Sequence, residues 1–196
     1  MPAAARPGMN EVLTHPETRT MLRKILSYGA LVGLFAGGCL SVLAITFASH
    51  GMLAWGEIAG YLILLVALSA IFVAIKRHRD RDLGGVIGFW PAFGFGLGIS
   101  AVASLFYTAS WELAVVITRI DFATSYANFL IDQEAAKGAS AEALAKLRAD
   151  MEEFKVMYAN PLFRLPMTFL EIFPVGVLVS LVSAGLLRIR GFLPGR

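Results

Sequence analysis

This 196-residue chain holds a single cysteine and three histidines, and only 16% of its residues are charged. One thiol excludes a disulfide within the chain and any Cys-x-x-Cys metal site. Cys39 lies in an apolar run and reads as a small packing residue. Globular domains carry about 25% charged residues, so the shortage of charge calls for a solvent other than water. The excess of base, net +3 with a pI near 9.2, does not describe a nucleic-acid surface. The seventeen Lys and Arg residues are scattered among separate polar segments. Their densest cluster, Lys76-Arg77-His78-Arg79-Asp80-Arg81, is diluted by acid. Phosphate-binding patterns are missing too. The glycine-rich stretch from Leu83 to Pro91 lacks GxxxxGK[ST], and no strand precedes it. With no hydrolase, kinase, metalloprotease or nucleotide signature, the expectation is a protein that is not an enzyme. No cofactor or metal is expected either. His50 and Glu57 are two ligands at most.

What the chain has in abundance is apolar length. Hydrophobic residues make up 57%, and mean hydropathy is +0.69. Four runs, residues 25–48, 53–75, 92–118 and 162–187, are each long enough for a membrane span. The first rises about 36 Å at ~1.5 Å per residue, against a hydrocarbon core of ~30 Å. The expected fold is all-α: one four-span membrane domain over residues 21–196, behind a disordered tail over 1–20. Small residues recur at four-residue spacing: Gly29, Gly33 and Gly37; Gly94 and Gly98; Gly176, Ser180 and Ala184. Such faces let helices approach closely. Pro174 predicts a kink in the fourth span.

Residues 121–160 form the one sizeable polar region between spans. Phe122, Tyr126, Phe129 and Gln133 share a helical face. Gly138 and Ser140 then read as a C-cap and an N-cap. Leu144, Leu147, Met151, Phe154 and Tyr158 follow in steps of three and four, an amphipathic stripe. Two helices in a hairpin are expected, their stripes meeting each other by default, or else packing on the spans or lying on the bilayer. Basic residues set the orientation. Eleven lie in the segment up to Lys24, in 76–82 and at the C-terminus; six lie in 119–164, among seven acids. By the positive-inside rule both termini are cytoplasmic and the hairpin is outside.

Two acids sit inside apolar runs: Glu112 in Ser110-Trp-Glu112, and Glu171 in Thr168-Phe-Leu-Glu-Ile-Phe-Pro174. A charge at mid-bilayer costs roughly 2.5–3.5 kcal/mol on insertion scales, so each needs a reason. Glu112 precedes Arg119 by two turns, and Arg164 precedes Glu171 by two turns, which keeps each pair near one face. The two acids lie at similar depths on antiparallel spans. The candidate polar site is therefore Glu112, Glu171, Arg119 and Arg164, with Thr108 and Thr168 as donors. Interhelical glue, a proton or cation site, and a ligand or partner contact are the three uses that fit. Tyr107 and Trp111 suit an interfacial belt.

Four ordered motifs carry a resemblance: Arg79-Asp-Arg-Asp-Leu-Gly-Gly-Val-Ile-Gly-Phe, Ser110-Trp-Glu112, Phe154-Lys-x-Met-Tyr-x-Asn-Pro161 and Thr168-Phe-Leu-Glu-Ile-Phe-Pro-Val-Gly176. The chain resembles the bacterial membrane family called domain of unknown function 4199, from about Met21 to Arg190. The resemblance implies an integral protein of the bacterial inner membrane and transfers no catalytic residue. The expected role is structural or accessory, binding lipid or a protein partner such as a second copy of the chain or another membrane protein, and no nucleic acid. The alternative is a small proton- or cation-linked transporter or sensor built on Glu112 and Glu171.

Overall fold

The computed structural model describes residues 16–50 and 53–194. These residues form six helices and no strand: α1 (Pro16–His50), α2 (Leu53–Asp82), α3 (Phe89–Thr118), α4 (Phe122–Ala136), α5 (Ala141–Ala159) and α6 (Pro161–Leu187). The helices α1, α2, α3 and α6 are long and apolar enough to cross a membrane. Their outward faces carry Leu31, Leu62, Leu65, Leu113, Val116 and Leu178, all exposed. A soluble protein does not leave contiguous apolar faces of that kind uncovered.

The ends of the helices differ from the expected ones. Helix α1 begins at Pro16, so residues 16–20 are helical; the rest of the expected tail lies outside the described residues. The same helix continues through Ser49 and His50, where a turn was expected. The side chains of His50 and Glu57 also lie outside the described set. More important, Lys76–Asp82, whose run of charge after the second apolar stretch reads as a loop, forms the last two turns of α2. The connection shrinks to residues 83–88, where Gly84 and Gly85 take positive φ, and Phe89 and Trp90 already start α3. Pro91 is tolerated there because first-turn N–H groups have no helical acceptor.

The charged turns of α2 are spent on joining helices. Arg79 is 2% exposed and donates to the carbonyls of Phe192 (2.9 Å) and Leu193 (2.7 Å), just past the end of α6. Asp80 takes a bond from Arg79 and another from Lys76. Asp82 accepts from Lys24 of α1 at 2.6 Å and pairs with His78 at 2.7 Å. His78 itself stacks on Phe95 of α3.

Helix α3 lies between α1 and α6, and α2 packs against all three. In lipid there is no hydrophobic drive between helices, so close packing of small residues must hold them. The α1–α3 seam is built on backbone approach. A Cβ on Gly29 would meet Val102 at 2.5 Å, one on Gly33 would strike the Ala103 carbonyl, and one on Gly37 would meet Ser110 at 2.6 Å. Both helices advance together along this seam, so they run parallel. The three-glycine face is thus consumed inside the chain. The α3–α6 seam is antiparallel and reciprocal: Ser180 fills the place of a side chain at Gly96, and Ser100 does so at Gly176. At the crossing the Ser100 and Ser180 hydroxyls lie 3.1 Å apart, and their two protons are divided between that contact and the carbonyls four residues back. Gly96 is therefore the tight residue of this seam. Gly94 faces open space, and Gly98 meets only Ile25.

Helices α4 and α5 pack against each other through Phe122, Tyr126, Phe154 and Tyr158. Helix α4 is capped at its start by Asp121, which accepts from Thr124 N, and at its end by a Schellman turn. There Gly138, at φ 81, donates to Ala135 O while Ala139 donates to Glu134 O. Ser140 caps α5 by accepting from Ala143 N.

Candidate functional site: a locked acid and an open one

The sites of interest sit where α5 meets α6. Only Asn160 separates these helices: it ends α5, and its Oδ1 accepts from Leu162 N to begin α6, with Pro161 in the first helical position. So abrupt a break brings Tyr158 and Arg164 together. The Arg164 guanidinium lies over the Tyr158 ring at 5.6 Å and donates to the Tyr158 carbonyl at 3.1 Å.

The remaining donors of Arg164 go to Glu112. Nε donates to Oε1 at 2.6 Å and Nη2 to Oε2 at 2.7 Å, a bidentate bridge between α6 and α3. Arg164 is buried, 8% exposed. Removing one partner from such a bridge leaves an uncompensated charge, at a cost of about 3–5 kcal/mol. One residue earlier on α3, Trp111 donates its indole N–H to the Tyr158 hydroxyl at 2.8 Å. Phe122 closes over Trp111 and Tyr158. Burial pushes the Tyr158 phenol up to about 12, so it remains a neutral hydroxyl throughout the physiological range. Trp111, Glu112, Tyr158 and Arg164 together bolt the α4–α5 pair onto the spans.

Glu171 has a different setting. It faces the hydroxyl of Tyr107, a buried residue of α3. The Glu171 side chain also lines an open groove along α6, with Leu162, Phe163, Pro166, Met167 and Leu170. Among the described residues, no Lys, Arg or His forms an ion pair with it.

The expected pairing within each helix is thus corrected. Arg164 turns to Glu112 across the seam, not to Glu171 two turns along. Arg119 is the left-handed C-cap of α3 at φ 52, exposed, and its partner role is taken by Arg164. The two acids share a neighbourhood but hold separate partners. Thr108 and Thr168 are buried, yet neither supplies the acids; Thr108 Oγ1 has no hydrogen-bond partner among the described residues. Tyr107 and Trp111 are buried in the bundle instead of forming a belt, because each hydroxyl or N–H has a partner inside.

A signal for the lock was present in the chain. The reciprocal Gly96/Ser180 and Ser100/Gly176 contacts fix an antiparallel register. Continued in steps of four, it sets Thr108 level with Thr168 and Glu112 level with Arg164. A seven-residue spacing within each helix hides this ladder. As for metals, no group of three or more His, Cys, Asp or Glu among the described residues could hold one.

The family model described as "Protein of unknown function (DUF4199)" matches residues 28–188, and the chain belongs to that family. No curated protein and no solved structure matches it.

Proposed function

We propose that this protein is a structural or accessory component of the bacterial cytoplasmic membrane, not an enzyme, which binds lipid or a protein partner. Both termini face the cytoplasm, and α4 and α5 stand on the outer side as a fixed docking platform. The observation that carries this reading is the bidentate Arg164–Glu112 bridge. A half-buried acid held by both oxygens, with the same buried arginine gripping the Tyr158 carbonyl, serves to fasten helices. A transported cation would have to break that bridge on every cycle. The platform's base also offers Val156, Met157 and Leu162, exposed apolar residues at the level where α5 enters α6.

Reconstituted vesicles test the proposal. Wild type should pass no more protons or alkali cations than empty vesicles, and a photo-crosslinker at Val156 in the native membrane should give one discrete adduct with lipid or protein. Ion flux in wild type that Glu112→Gln abolishes would replace this reading with a small proton- or cation-linked transporter.

A further inference from the structure

The polar groups of the membrane region fall into two sets. One set is satisfied: Glu112 and Arg164 by each other, Ser100 and Ser180 by each other and by carbonyls, Trp111 by Tyr158. The other set lies along the groove on α6. A carboxylate offers about four acceptor positions on two oxygens, and Tyr107 supplies one donor to Glu171. Two backbone carbonyls share that strip. Pro166 and Pro174 lie inside α6 and have no N–H, so the carbonyls of Leu162 and Leu170 lack their usual helix donors. Leu162, Pro166 and Leu170 line the groove together with Glu171. The strip therefore has acceptors in excess, a carboxyl group with no basic side chain paired to it among the described residues, and otherwise apolar walls that include the Phe163 ring.

We propose that this groove binds a lipophilic organic cation, with Glu171 as its counter-ion. Charge complementarity selects the sign of the ligand, and the apolar walls of Leu162, Phe163, Met167 and Leu170 select its body. A ring face such as that of Phe163 adds attraction for a cation. Glu171 lies seven residues beyond Arg164, roughly 10 Å further into the apolar span, which favours a free amphiphile over a lipid headgroup. A compact, strongly hydrated inorganic ion would lose its water there without enough ligands to replace it. The groove opens sideways along one helix, so binding needs no passage through the bundle. The groove shares Leu162 with the base of the docking platform, and Glu171 lies beyond it along α6.

The titratable groups that face Glu171 are Tyr107 from α3 and Tyr158 from α5, and Tyr158 in turn faces the Glu112–Arg164 pair. Arg164 is committed to Glu112, which leaves the ligand as the counter-charge.

Two probes of nearly the same shape and opposite charge test this on the full chain in a neutral detergent: tetraphenylphosphonium and tetraphenylborate. Phosphonium should bind saturably, read by equilibrium dialysis, and borate at least tenfold more weakly. Glu171→Gln should weaken phosphonium binding at least tenfold, and Tyr107→Phe several-fold less than that. Should Glu171→Gln fail to fold, wild type still decides the matter. A carbodiimide should modify Glu171, and phosphonium but not borate should slow that modification, followed by peptide mass spectrometry. Equal affinity for the two probes, phosphonium affinity unchanged in Glu171→Gln, or modification of Glu171 indifferent to phosphonium would each overturn the proposal. Failure here leaves the docking platform untouched, because that reading rests on Val156 crosslinking and ion flux.

Discussion

Glu112 and Glu171 are the same residue in similar surroundings, each inside an apolar helix and each near the end of the bundle that carries α4 and α5. Their fates differ because of what faces them. Glu112 lies level with Arg164 across an antiparallel seam and has both oxygens bound by one guanidinium. Glu171 faces a neutral phenol on one side and an open groove on the other. An acid inside an apolar helix is therefore not a category of function. Paired across a seam it is a fastener; left with spare acceptors at a surface it is a place for a ligand. The contrast also explains why Arg164 is worth more than its charge. It joins α3 through Glu112 and α5 through the Tyr158 carbonyl and ring.

Breaking the lock should give the largest effect. Arg164→Ala should destabilise the protein by about 3–5 kcal/mol, and hydrogen exchange should rise first in α4 and α5. Arg164→Lys keeps the charge but not the fork, and its loss should fall between that value and wild type. A next step down is overpacking. Gly33→Leu should cost about 1–3 kcal/mol by forcing α1 from α3, whereas Gly94→Ala, which meets open space, should be nearly neutral in a detergent unfolding titration. Glu171→Gln sharpens the comparison from the other side. It loses one charge-assisted bond and no buried partner charge, so stability should change by about 1 kcal/mol or less.

The smallest effect concerns Asp121, outside the spans. Its hydrogen bonds with Thr124 hold its carboxyl below the usual carboxylate range. A depressed folded value means the stabilisation is present above the unfolded value, roughly 3.9, and is lost as pH falls through the folded one. Asp121→Ala should cost about 1 kcal/mol at neutral pH, read as faster exchange at the start of α4, and less in acid.

Much of the fold was legible because lipid imposes simple rules. Apolar runs of sufficient length gave all four spans, and the Gly138 and Ser140 caps were visible as local chemistry. The α2 extension was not, because Lys76–Asp82 looks like a loop until its charges are seen reaching Lys24, Phe192 and Leu193. Those partners lie far away in sequence. At the site, both acids were found from their cost alone, but their partners were not. Spacing within one helix suggested Glu112–Arg119 and Arg164–Glu171, while the real choice depends on the register between two helices. That register follows from Gly96 and Gly176, whose meaning appears only when Ser180 and Ser100 occupy the vacated space. Tyr107 was visible as an aromatic near a span end, and only packing reveals that its hydroxyl points inward.

The pairing of Arg164 is tested most directly by two double-mutant cycles in the full chain: Arg164→Met combined with Glu112→Gln, and Arg164→Met combined with Glu171→Gln. A coupling of about 2–3 kcal/mol in the first and under ~0.5 kcal/mol in the second is the predicted result. Strong coupling of Arg164 to Glu171, with none to Glu112, would contradict it.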